Sequence, residues 1–117
     1  MKILFISPPW SDVYGNYRHA AKVGNNYPPL GLCYLASVLE RGGHQVKIID
    51  AEADNQTIDD LIEQVRVFSP KAVGFTSTTP VYHIVQKIAE RIKQNFPTLS
   101  IFLGGPHSTI VLNKILE

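Results

Sequence analysis

The chain has a single cysteine, Cys33. That excludes an internal disulfide and any zinc site built from thiolates. An excess of charge is equally absent: eleven basic residues stand against ten acidic ones, a formal net charge of +1. Such a balance gives no support to nucleic acid as a partner. No apolar run approaches the roughly eighteen residues that a bilayer span requires. The amino-terminal MKILFISPPW breaks at a proline pair, so it reads as a first strand and not as a secretion signal. These absences place the chain in a reducing, cytoplasmic setting, with neither membrane nor nucleic acid as partner. Length adds a bound, since 117 residues fit one domain with one core.

What is present is a repeated alternation. Lys2–Ser7 (KILFIS) is a compact apolar run closed by Pro8 and Pro9, the pattern of a buried strand. The stretch 8–28 that follows is rich in Gly, Asn and Tyr, and carries Trp10, Arg18, His19 and Lys22. A loop of that length inside a compact domain is often functional. Pro29 suits a first helical turn, and Leu32, Leu35, Ala36 and Leu39 recur at helical spacing. Gly42 and Gly43 supply a left-handed cap. On that stripe Cys33 reads as a small core residue.

Gln45–Asp50 is the second strand. Thr57 with Asp60 forms a short capping box ahead of a helix whose stripe is Ile58, Leu61, Ile62, Val65 and Phe68. A third strand, Lys71–Phe75, enters the hydroxyl-rich Thr76–Thr79. Pro80 opens a helix with Val81, Ile84, Val85, Ile88 and Ile92 on one face. The fourth strand, Ser100–Leu103, runs into Gly104-Gly105-Pro106-His107, and a last helix is expected over Ile110–Leu116. Alternating strands and helices imply an α/β fold of parallel, right-handed βαβ units. The expected architecture is a three-layer, doubly wound, Rossmann-like (flavodoxin-like) sheet of order 2-1-3-4, with a fifth strand cut off by the end of the sequence.

Ligands of such sheets lie beyond the carboxyl ends of the strands, where strand order reverses. There the loops at Ser7 and Thr76 face each other, with Gly104 and Gly105 beside them. Several phosphate sites are missing from these loops. No G-x-G-x-x-G follows the first strand, and no Walker A sequence occurs. The third strand ends in Phe75-Thr76-Ser77, where a phosphoacceptor domain would carry an aspartate. Hydroxyls can bind a polar ligand without filling its space, and glycines let a flat group lie against the backbone. Together they describe a slot for a planar, partly polar moiety. Thr76–Thr79 also reads as an N-cap for the helix at Pro80. His107 reads as a polar contact at a helix start and not as a metal ligand.

Four motifs in order, P-P-L-G-L-x-Y-L-A-S-V-L-E at 28–40, G-G-H-x-V-x-I-I-D at 42–50, V-G-F-T-S-T-T at 73–79 and L-G-G-P-H-S-T at 103–109, carry a family resemblance. The chain resembles the N-terminal cobalamin-binding domain of radical S-adenosylmethionine enzymes, a group of methyltransferases and anaerobic magnesium-protoporphyrin monomethyl ester oxidative cyclases. The resemblance implies that the nucleotide tail of cobalamin inserts between sheet and helices. It places Thr76 near the dimethylbenzimidazole, Gly104 and Gly105 along the tail, and Pro8 to Trp10 near the corrin. The implied cofactor site is Ser7, Pro8, Pro9, Trp10, Thr76, Ser77, Thr78, Gly104, Gly105, Pro106 and His107.

No D-x-H-x-x-G is present, so the resemblance implies base-off binding without a histidine below the cobalt. One cysteine cannot make the C-x-x-x-C-x-x-C that holds a [4Fe-4S] cluster. The implied catalytic partner, with that cluster and S-adenosylmethionine, is therefore a C-terminal radical domain outside this chain. A nucleotide-sugar-binding module, or a purely interacting Rossmann-like module, remains open beside this reading.

Overall fold

A computed structural model describes residues 1–11 and 29–110. The sheet has four parallel strands in the order β2-β1-β3-β4. They are β1 (Lys2–Ser7), β2 (Gln45–Asp50), β3 (Ala72–Thr76) and β4 (Ser100–Gly104). The helices are α1 (Leu30–Arg41), α2 (Ile58–Phe68), α3 (Tyr82–Asn95) and the short α4 (Pro106–Ile110). Strand order reverses between β1 and β3, as the sequence pattern implies.

Alternation along β1 assigns the two faces. Leu4 and Ile6 point into the larger core with Val73 and Phe75 of β3, and α2 and α3 close it with Leu61, Val65, Ile84, Ile88 and Ile92. Side chains such as Leu4 and Ile88 are fully buried, each contributing about 1.5–3 kcal/mol relative to exposure. The opposite face carries Ile3, Phe5 and Ala72, covered by Leu32 and Ala36 of α1. That second cluster is smaller and reaches only part of the sheet.

Chain punctuation follows local chemistry. α1 ends in a Schellman arrangement, with His44 N–H donating to the Leu39 carbonyl (3.1 Å) and Gly43 N–H to the Glu40 carbonyl (3.0 Å). The left-handed residue is Gly43 alone (φ 88°), since Gly42 stays at φ −79°. At α2 the expected box is complete: Asp60 N–H donates to Thr57 Oγ1 (3.1 Å) and Thr57 N–H to Asp60 Oδ2 (2.9 Å). The Thr57 backbone and hydroxyl hold the Asp60 carboxyl below its ordinary value of 3.8. A depressed folded-state value stabilises the fold above the unfolded value, and that contribution fades as pH falls through the folded one. Thr57→Ala should therefore cost about 1 kcal/mol in urea denaturation at neutral pH. The penalty of Asp60→Asn should shrink on acidification below pH 3.8, and a pH-independent penalty would refute the box's ionic half.

Three sequence expectations are corrected. Cys33 is exposed, because it falls outside the arc of α1 that buries Leu32 and Ala36. Leu35 is 53 % exposed, since α1 does not lie over the β3–β4 half of the sheet beneath it. Thr76–Thr79 do not cap by side chain. A short 3-10 turn, Thr79–Val81, precedes α3, and its N-cap Thr78 makes no side-chain hydrogen bond to it. In addition, the last helix starts at Pro106 rather than Ile110, and residues 111–117 lie outside the described ones.

Candidate functional site

Across one face of the sheet a single row of register partners runs Ile48, Phe5, Gly74, Phe102. At Gly74 the Phe5 ring leans over the space that a side chain would take. α1 covers the Ile48–Phe5 end of the row through Leu32 and stops short of Phe102, which is 63 % exposed. The uncovered part is a cleft of about 400 Å³. Its floor is the Phe5 ring lying on Gly74 and the β4 backbone at Gly104. Pro29, Leu32 and Leu35 of the α1 side form one wall, Phe102 the other, and Thr76 and Gly105 close the carboxyl end. The lining is mostly apolar with one hydroxyl, Thr76, which suits a flat group with a few polar atoms.

Glycine is required at two of these positions. A Cβ at Gly74 would stand 2.7 Å from Cδ1 and Cε1 of the Phe5 ring. Gly105 has φ 95°, and a Cβ there would meet the Ser77 carbonyl oxygen at 2.7 Å and the Ser77 nitrogen at 2.9 Å. The loops after β3 and β4 are thus in backbone contact. Ser77 N–H donates to the Gly104 carbonyl (3.1 Å), and His107 N–H donates to the Ser77 carbonyl (3.2 Å).

Of the residues singled out in the sequence, the structure brings Thr76, Gly104 and Gly105 to the cleft. Ser77 is 1 % exposed and faces inward, its Oγ donating to the Thr78 carbonyl (3.0 Å). His107 is 8 % exposed behind the cleft, its Nδ1 3.1 Å from Thr79 Oγ1 and its ring 4.2 Å from that of Tyr82. Thr78 and Pro106 are exposed at the loop tips. Ser7 and Trp10 are half-buried and Pro8 and Pro9 buried at the carboxyl end of β1. That loop is tied to β2 by Ser11, whose N–H donates to the buried Glu52 Oε2 (3.1 Å).

Phe5, Gly74, Leu35 and Phe102 line the cleft without having been singled out. The available signal was Gly74 inside an otherwise bulky strand, where a glycine marks close approach of another group. Tyr14, Tyr17, Arg18, His19, Lys22 and Tyr27 lie outside the described residues. Among the described residues, no three His, Cys, Asp or Glu side chains gather to hold a metal ion. No helix among them is long and apolar enough to cross a membrane.

Comparison with known proteins narrows the ligand. The B12 binding domain family matches residues 19–117. An uncharacterised methyltransferase of Pyrococcus horikoshii is 40 % identical over 112 residues, covering 93 % of this chain and 22 % of its own length. The anaerobic magnesium-protoporphyrin IX monomethyl ester cyclase of Rubrivivax gelatinosus is 30 % identical over 119 residues, 100 % of this chain and 20 % of the enzyme. A cytidylyl-2-hydroxyethylphosphonate methyltransferase of Streptomyces wedmorensis is 30 % identical over 102 residues, 68 % of this chain and 18 % of the enzyme. No solved structure gives a significant match. The chain thus spans about a fifth of the length of the first two curated relatives. A parallel 2-1-3-4 sheet, a glycine-floored cleft at its switch point and a match over most of the sequence agree on one conclusion: the chain belongs to the B12-binding domain family.

Proposed function

We propose that the chain holds cobalamin base-off, its nucleotide tail in the cleft between α1 and the β3–β4 half of the sheet, with no protein histidine below the cobalt. The observation that carries this is the cleft, whose floor at Gly104, where a side-chain position meets nothing nearer than the Phe75 carbonyl oxygen at 3.9 Å, admits a planar base against the backbone. The fit is one of shape and polarity. Leu32, Leu35 and Phe102 offer apolar contact to a ring edge, and Thr76 offers a single hydroxyl to a ring nitrogen. His107 and His44 are turned elsewhere. His107 is engaged with Thr79 and Tyr82, and His44 Nδ1 lies 3.2 Å from the amino terminus at the opposite end of the strands.

Cobalamin, when bound, supplies a cobalt centre able to carry a methyl group or an electron. This chain's residues bind the tail, orient the corrin over the carboxyl ends of the strands and keep water from the tail's ring. The rest of the reading rests on the family resemblance of the sequence, together with the small share of their length that the relatives' match covers. Catalysis belongs to a further domain of a longer protein, holding S-adenosylmethionine and a [4Fe-4S] cluster, and the reaction is methyl transfer or oxidative cyclisation. Methyl transfer is favoured by the uncharacterised methyltransferase, whose 40 % identity exceeds the 30 % of the Rubrivivax gelatinosus cyclase.

Titration with hydroxocobalamin, followed by visible absorbance, tests the binding. The expected outcome is saturable binding with a base-off spectrum, and after reduction a paramagnetic cobalt signal without splitting from a nitrogen ligand. Absence of binding at high micromolar cobalamin would refute the proposal. Nitrogen splitting that His107→Ala removes would overturn the histidine-free mode.

A further inference from the structure

His107 does something other than approach a cobalt. The residue is buried beside the loop after β3, and it makes two contacts with that loop and one with the start of α3. Its backbone N–H donates to the Ser77 carbonyl at 3.2 Å. Its Nδ1 shares a hydrogen bond with Thr79 Oγ1 at 3.1 Å. Its ring stacks on Tyr82, the first residue of α3, with centroids 4.2 Å apart and planes inclined by 27°. The two residues before Pro106 are Gly104 and Gly105, which form the carboxyl end of the cleft.

We infer that His107 is a positioning residue, a latch that fixes the β4 loop against the β3 loop and so holds the glycine end of the cleft open at a set width. This rests on the cobalamin reading of that cleft. The need for such a latch is local. Gly105 has φ 95° and lies so close to Ser77 that a methyl group would not fit between them. A glycine in that conformation is also the most easily disordered residue of the loop, since no side chain restrains it. Among the described residues β4 pairs with β3, so the contacts between their loops restrain this end. The remaining anchors of the loop are the Ser77–Gly104 backbone bond and the short bonds from Ser108 Oγ and Thr109 Oγ1 to the Gly105 carbonyl, at 2.9 and 3.2 Å. The last two act within the β4 loop itself. His107 adds side-chain contacts that reach across to the β3 side, one polar through Thr79 and one apolar through Tyr82.

Side-chain chemistry separates the latch from simple filling of space. Asparagine places a polar atom near the position of Nδ1 and keeps the bond to Thr79 while losing the stack. Phenylalanine keeps the stack and loses the bond. Alanine loses both. Cobalamin affinity and amide hydrogen exchange at Ser77 and His107 (or its replacement) are measured on His107→Ala, His107→Asn, His107→Phe and Thr79→Val, with circular dichroism confirming that each is folded. His107→Ala should weaken cobalamin binding about tenfold and speed exchange at both amides, as fits the loss of one hydrogen bond and one ring stack. His107→Asn should return to within about threefold of the parent, and Thr79→Val should match His107→Phe.

Unchanged exchange in His107→Ala overturns the latch. Faster exchange with unchanged affinity overturns its service to the cofactor. An asparagine variant no better than alanine reduces His107 to packing, and overturns the polar half of the inference. Failure of the parent chain itself to bind cobalamin refutes the cofactor reading instead, and the exchange arm alone then decides whether the two loops are latched.

Discussion

Replacing Gly105 with alanine should destabilise the fold by about 3 kcal/mol or more and abolish cobalamin binding, while the same change at Gly104 should spare the fold and weaken only the binding. The neighbouring glycines differ in their surroundings. At Gly105 the backbone is at φ 95°, which an L side chain rarely adopts, and the new Cβ would press on the Ser77 carbonyl at 2.7 Å and the Ser77 nitrogen at 2.9 Å. Both are backbone atoms of the loop into which β3 feeds, so no rotamer change relieves the contact. Either the β4 loop moves, breaking the His107 and Ser77 bonds, or the strand end frays. A Cβ at Gly104 meets nothing nearer than the Phe75 carbonyl oxygen at 3.9 Å, and its φ is not positive. That methyl would project into the cleft. Gly104→Ala should therefore unfold in urea within about 0.5 kcal/mol of the parent. Its cobalamin affinity should fall at least about tenfold, the equivalent of a single misplaced contact. Equal stability losses for the two variants would refute the geometric distinction. Undiminished affinity in Gly104→Ala would remove the tail from this cleft.

That pair also marks how far sequence reasoning reaches. Strand and helix identities were legible because the apolar periods are clean: KILFIS and QVKIID become β1 and β2 with the same ends, and Thr57 with Asp60 becomes a complete capping box. The switch point was legible only through the analogy to flavodoxin-like sheets, and the face of the sheet that carries the cleft was not legible. Less legible was anything decided by which half of the sheet a helix covers. Leu35 has the spacing of a core residue, yet it becomes a cleft wall because α1 lies over β1 and β2. Thr79 and Ser77 look alike in a run of hydroxyls, but one meets His107 across the loop and the other turns inward. Those outcomes depend on contacts between residues nearly thirty positions apart, as the His107–Thr79 separation of 28 illustrates, and one-dimensional spacing carries no trace of them.

The second large effect concerns Gly74, the residue without a side chain in the row between Phe5 and Phe102. The Phe5 ring leans over the space that a Gly74 side chain would take, with Cδ1 and Cε1 both 2.7 Å from the position of its Cβ. Phe5 is 9 % exposed and packed with Leu32 and Ala36, so its ring cannot swing away without opening the smaller core. Gly74→Ala should then cost about 1–3 kcal/mol as an overpacked site. Phe5→Leu alone should cost about 1 kcal/mol for the lost ring contacts. Combined, the two changes should be at least about 1 kcal/mol more stable than their sum predicts, because the shorter side chain makes room for the methyl. Urea denaturation of all four proteins measures this coupling, and strict additivity would refute the contact. Cobalamin binding should not recover with stability. The repaired double variant has a methyl group and a shorter side chain where the parent's lining has the flat Phe5 ring. A double variant that regains its fold but not its affinity would separate stability from binding at this site, where Gly74 lets the Phe5 ring lie against the strand and that ring lines the cleft.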